Sequence, residues 1–177
     1  KVKEALFSII GPYFDGERVL DLFAGTGGLG IEALSRGAGH AVFVDLNPRS
    51  IEVVRRNLEA AGLPDLAEVY RNDAWRAVKA LAKKGVPFDL IFLDPPYAMQ
   101  NMDELLLEMD SRGLIADGAT AVIEHAEDTR YPDVIGCLER VRLARYGETA
   151  LSVYRAAKSG ASEESKALNT TERGIEP

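Results

Sequence analysis

The chain has 177 residues, 46% of them hydrophobic and 28% charged, which fits one globular domain of about 100–200 residues and excludes wholesale disorder. Lys plus Arg total 21 against 28 Asp plus Glu, so the formal net charge of -7 argues against a protein that coats nucleic acid by bulk charge. No apolar run approaches the roughly 20 residues of a membrane span, and the single cysteine, Cys137, excludes an internal disulfide and a cysteine metal cluster.

The chain opens on Lys1 with no signal segment, so a trimmed natural N-terminus and a reducing, cytoplasmic setting are expected. Val2, Ala5, Leu6, Ile9 and Ile10 recur at helical spacing until Gly11-Pro12 stops the helix. Arg18–Ala24 reads as a buried strand running into the cluster Gly25-Thr26-Gly27-Gly28-Leu29-Gly30. A helix is predicted from there to about Arg36, closed by Gly37, and a second strand over Ala41–Asp45. Pro48 sits where a helix start favours proline, and that helix runs to Ala61 before Gly62. Then come a strand over Leu66–Arg71, a helix over Ala74–Lys84 and a strand over Asp89–Leu93 that meets Asp94-Pro95-Pro96-Tyr97. A helix over Met102–Arg112 and a strand over Ala119–Glu124 follow. Two strands near Leu138–Ala144 and Ala150–Arg155, turning at Gly147, read as an antiparallel hairpin. The alternation predicts an α/β, doubly wound, seven-stranded, mostly parallel sheet with an antiparallel edge hairpin over residues 1–156. Residues 157–177 are poor in large apolar side chains and read as a mobile tail.

In such sheets ligands sit beyond the carboxyl ends of the strands. Gly25-x-Gly27-x-x-Gly30 has the dinucleotide spacing in a strand–turn–helix context, and Asp45, about 20 residues on, is placed to take two ribose hydroxyls. That much fits NAD and S-adenosylmethionine equally. Asp21 shifts the balance, because a carboxylate beside the loop repels a pyrophosphate and favours an ammonium and a sulfonium. Asn72, Asp73 and Ala74 add an acceptor where an adenine amino group would lie. The competing reading is that Asp21 and Asp73 only cap helices or turns.

Asp94-Pro95-Pro96-Tyr97 follows a fully apolar strand at the same edge. The double proline stiffens the backbone and removes two donors, leaving carbonyls free to accept. An amine on an aromatic base is a poor nucleophile, since its lone pair is delocalised. The Asp94 carboxylate and the Pro95 carbonyl can hold its two hydrogens, and the fixed carboxylate stabilises charge developing on nitrogen. Tyr97 offers a face for stacking a base turned out of its helix.

The stretch from Val19 to Ala38 together with Asp94-Pro95-Pro96-Tyr97 resembles the class I S-adenosylmethionine-dependent methyltransferases. With Lys1–Phe7 and Tyr146–Tyr154 added, it resembles the bacterial 16S rRNA guanine-N2 methyltransferases over about residues 1–156. The resemblance implies a Rossmann-like methyltransferase fold and methyl transfer to a guanine N2 of 16S rRNA, within an assembled small-subunit particle, by a monomer using S-adenosylmethionine and neither metal nor membrane. It implies a catalytic group of Asp94, Pro95, Pro96 and Tyr97. Its cofactor residues are Asp21, Phe23, Ala24, Gly25, Thr26, Gly27, Gly30, Asp45, Leu46, Asn72, Asp73 and Ala74. Members of that family carry a basic extension ahead of the matching segment, so target binding is expected to lean on such a segment. DNA adenine-N6 methylation and a non-catalytic rRNA scaffold are the alternatives. His40, His125 and Trp75 are expected to be structural, and Cys137 to lie in the core, which argues against cytosine-C5 methylation. Arg71, Arg76, Lys79, Lys83 and Lys84 read as a solvated helix face.

Overall fold

A computed structural model describes residues 1–158. Five helices and eight strands form in it: α1 Val2–Ile10, β1 Arg18–Leu22, α2 Gly28–Ser35, β2 His40–Asp45, α3 Pro48–Ala61, β3 Ala67–Arg71, α4 Ala74–Ala82, β4 Phe88–Leu93, α5 Met102–Ser111, β5 Ile115–Ala126, β6 Val134–Ile135, β7 Leu138–Tyr146 and β8 Thr149–Ala156. The strands make one sheet in the order β3-β2-β1-β4-β5-β8-β7-β6. The first five are parallel, and the last three run antiparallel. The strand order reverses between β1 and β4, which opens a crevice at their carboxyl ends.

Period-two alternation sends the strand side chains into two cores. Leu20, Leu22, Val42, Val44, Ile91 and Leu93 pack under α4 and α5. Val19, Ala41, Phe43, Leu90 and Phe92 pack under α1, α2 and α3. Local signals set the helix ends. Asn47 caps α3 by accepting from the Arg49 amide at 2.9 Å, Pro48 begins the helix and Gly62 closes it in the left-handed region. Among the described residues no helix is long and apolar enough to cross a membrane.

Three features differ from the sequence expectation. An eighth strand, β6, pairs through two residues with β7, and so short a piece carries no alternation to read. Strand β5 begins at Ile115 rather than Ala119, because a bulge at Gly118 (φ +72°) interrupts its register with β4 and hides the earlier pairing. Leu66 belongs to a short 3-10 turn, not to β3. The expected tail lies outside the described residues except for Ala157 and Lys158.

Helix α2 approaches the sheet closely at Gly30. A Cβ there would stand 2.4 Å from Cε1 of the buried Phe43 ring and 3.1 Å from the Asp21 carboxylate. At Gly28 the nearest such atom, Thr26 Oγ1, is 3.5 Å away. Gly30→Ala is therefore expected to lower unfolding free energy by about 1–3 kcal/mol, as overpacking does. Gly28→Ala should stay within about 0.5 kcal/mol of wild type in the same denaturant titration.

Candidate functional site

A cavity of about 720 Å³ opens at the carboxyl ends of the parallel strands. Its floor and first wall come from Phe23 and Gly25 after β1, and from Val44 to Asn47 at the end of β2. The second wall holds Asn72, Asp73 and Ala74 after β3, and the third Asp94 to Tyr97 after β4. Met99 and Glu124 complete it. Among the described residues Asp45, Asp73, Asp94 and Glu124 line it, and no Lys, Arg or His does.

Asp45 holds the glycine loop to β2. Its Oδ2 accepts from the Gly25 amide and its Oδ1 from the Asn47 amide, both at 2.9 Å. Asn57 Nδ2 donates to the Thr26 carbonyl at 2.9 Å and ties the loop to α3. Phe23 turns the chain out of β1 at φ 60°, a conformation that strains a bulky residue and is tolerated where a site needs it. Gly27 (φ +81°) then leads into α2.

Asp21 lies beneath this loop rather than on the cavity wall. Its register partners are Phe43 and Phe92, and its Oδ2 accepts from the Gly30 amide at 3.0 Å. Burial lifts its pKa from 3.8 to about 8, opposed by the Gly30 hydrogen bond and reinforced by Asp94 and Asp45. Asp73 is the N-cap of α4, where Oδ1 accepts from the Trp75 and Arg76 amides at 3.0 and 3.1 Å. The cap reading thus describes what both side chains touch, while Asp73 also lines the cavity.

Asp94 is open to the cavity but recessed among strand ends, and the loss of hydration raises its pKa. It shares a side-chain hydrogen bond with the half-buried Glu124, whose pKa is pushed up to about 7 by desolvation and then by the Asp94 charge. Tyr97 is 65% exposed at the rim, as is Leu46. The Tyr97 hydroxyl reaches Thr149 Oγ1 at 3.3 Å, which steadies the ring against the start of β8.

A family model described as Conserved hypothetical protein 95 matches residues 1–155. The chain belongs to that family. Among relatives, Bacillus subtilis YlbH, provisionally named an rRNA methyltransferase, is 48% identical over 155 residues, 88% of this chain and 84% of the relative. Ribosomal RNA small subunit methyltransferase D of Escherichia coli K12 is 30% identical over 165 residues, 92% of this chain and 80% of the relative. A solved Escherichia coli structure, yhhF, provisionally described as a methyltransferase, superposes with a TM-score of 0.77 at 29% identity, covering 89% of this chain and 85% of that one. The mostly parallel sheet with its antiparallel end is the Rossmann-like methyltransferase fold of such members.

Of the residues the sequence singled out, eleven line the one cavity: Phe23, Gly25, Asp45 and Leu46, then Asn72, Asp73 and Ala74, then Asp94 to Tyr97. Asp21, Ala24, Thr26, Gly27 and Gly30 instead shape the loop from behind. Val44, Asn47, Met99 and Glu124 also line the cavity without standing in any motif, although Glu124 carries the signal of a carboxyl at the end of an apolar strand. Cys137 is exposed, in the turn between β6 and β7, so the expected core position is corrected; its neighbour Leu138 fills the core instead. His40 pairs with Glu68 at 2.7 Å, and His125 bonds Ser152 and the Ala126 carbonyl, each at 2.8 Å. Trp75 packs against the core under α4.

Asp21 makes stability depend on pH. The unfolded chain releases its proton near 3.8 and the folded chain only near 8, so unfolding releases a proton across that interval. Stability contributed by the protonated group is complete below the lower value and is lost as pH rises through the upper one. Denaturant titrations of wild type from mildly acidic to alkaline pH should show that decline, and Asp21→Asn should flatten it.

Proposed function

We propose that the chain transfers a methyl group from S-adenosylmethionine to a base in 16S rRNA, with the exocyclic N2 of a guanine as the accepting atom. The catalytic unit is residues 1–156, working as a monomer on an assembled small-subunit particle in the cytoplasm. One observation carries the reading: a cavity whose charged lining, among the described residues, consists of carboxyls adjoins the Asp94-Pro95-Pro96-Tyr97 exit. The rRNA methyltransferase names borne by relatives support the choice of substrate.

The residues fit the cofactor chemically. An ammonium and a sulfonium both gain from carboxyls in a partly desolvated recess, and a pyrophosphate would be repelled there. Asp45 keeps its acceptor character towards ribose hydroxyls while holding Gly25 in place. Asp73 and Asn72 face the position of the base, and the exposed Leu46 offers it an apolar surface. When bound, S-adenosylmethionine supplies an electrophilic methyl group.

The chain's own work is to hold the amine and exclude wrong geometries. The Asp94 carboxylate and the Pro95 carbonyl accept its two hydrogens and pull the nitrogen towards a pyramidal form with a usable lone pair. Tyr97, steadied by Thr149, stacks the extruded base and fixes its plane. Positioning of two reactants in line is a large part of the acceleration.

Labelled methyl transfer from S-adenosylmethionine, with small ribosomal particles and DNA as separate acceptors, tests this reading. Incorporation into a guanine of the particle rRNA is expected. Asp94→Ala should lower the rate by at least about 100-fold, as loss of a charge-stabilising group does, while cofactor binding measured by calorimetry survives. Unchanged turnover in that variant, or incorporation into DNA alone, contradicts it.

A further inference from the structure

Each methyl group taken by an amine displaces one proton. The new N–C bond forms as the S–C bond breaks, the bonding pair stays on sulfur, and the nitrogen is left with a surplus hydrogen. That proton needs a receiver within hydrogen-bond reach. We propose that Glu124 is the receiver, acting through its hydrogen-bonded carboxyl pair with Asp94, the residue that grips the amine. The inference deepens the methyltransferase reading of the same site and rests on it.

The placement is a product of the sheet. Strands β4 and β5 are adjacent and parallel, with Leu93 opposite Ile123, so the next step along each strand brings Asp94 beside Glu124. The two side chains share a hydrogen bond. Two carboxyls in one hydrogen bond hold a proton between them while no cation is near, because like charges so close repel when both are ionised. Both side chains face the cavity with Pro95 and Tyr97. A proton arriving at Asp94 therefore has a second carboxyl to share it, and an open cavity through which to leave.

The surroundings are acidic on every side that carries charge. From β1, the buried Asp21 is near enough for the Asp94 charge to raise its pKa; from β8, the register partner of Glu124 is the apolar Leu151. Hydroxyls of Tyr97 and Thr149 stand at the rim, and His125 points to the opposite face of β5, bonded to Ser152. Burial, and then the Asp94 charge beside it, pushes the Glu124 pKa up to about 7, close to the working pH that suits proton transfer. A positive charge entering the cavity lowers it, so the pair sheds its shared proton as a cationic ligand binds and becomes ready to take the amine's.

Two measurements on the full chain decide the matter. Carbon-13 NMR of the Glu124 carboxyl in the protein alone should show titration near neutrality, far above an exposed glutamate. Single-turnover methyl transfer into small ribosomal particles lacking the modification should rise with pH through the neutral range for wild type. Glu124→Gln keeps the size and hydrogen bonding of the side chain but cannot take a proton. It should lose about 100-fold in rate and lose the neutral limb of the profile, with thermal unfolding and cofactor affinity changed far less. A Glu124 carboxyl that titrates like an exposed one overturns the proposal. So does transfer by both proteins with one shared rate and profile, which leaves the methyltransferase reading standing. No transfer by wild type overturns that reading and this proposal with it.

Discussion

Five parallel strands bring five carboxyls to one edge of the sheet: Asp21, Asp45, Asp73, Asp94 and Glu124. Among the described residues no basic side chain lines the cavity there to balance them. Carboxyls crowded in a partly dry recess repel one another, and the fold meets this in two ways. Backbone amides at Gly25, Asn47, Gly30, Trp75 and Arg76 donate to three of the groups. Protonation relieves the rest, Asp94 and Glu124, both of whose pKa values burial raises. What remains is an acceptor-rich pocket that a cation satisfies and an anion does not.

The backbone around that pocket is arranged to the same end. Asp45 uses both oxygens to join the end of β2 to the glycine loop, so the proposed cofactor contact and the loop geometry rest on one side chain. Phe23 accepts a left-handed conformation, and Gly30 leaves room for Phe43 and Asp21 under α2. Asp94 and Asp45 act in turn on buried Asp21, which lies below the site without lining the cavity, and help burial to raise its pKa. The effect is electrostatic and extends to stability, since the same burial that raises its pKa links folding to pH.

Local chemistry was legible in the sequence. The glycine loop, the Asn47–Pro48 helix start, the Gly62 stop and the Asp94-Pro95-Pro96-Tyr97 exit each announce themselves within a few residues. Features that depend on tertiary pairing were not. The two-residue β6 exists only because β7 offers it an edge, and the bulge at Gly118 conceals the first part of β5. Glu124 acquires meaning only when β5 lies beside β4, and Thr149 only when β8 reaches Tyr97. The sequence places Asp21 near the loop, yet strand parity turns it under α2 between Phe43 and Phe92. Cys137 sits one residue outside the core that Leu138 enters.

The central claim is that this cavity selects a positively charged nucleoside through its carboxyls. Calorimetric titration of the full chain with S-adenosylmethionine and, separately, with NAD tests it most directly. The account predicts saturable binding of S-adenosylmethionine and no measurable binding of NAD at the same concentrations. Binding of NAD as tight as that of S-adenosylmethionine, or tighter, would contradict it.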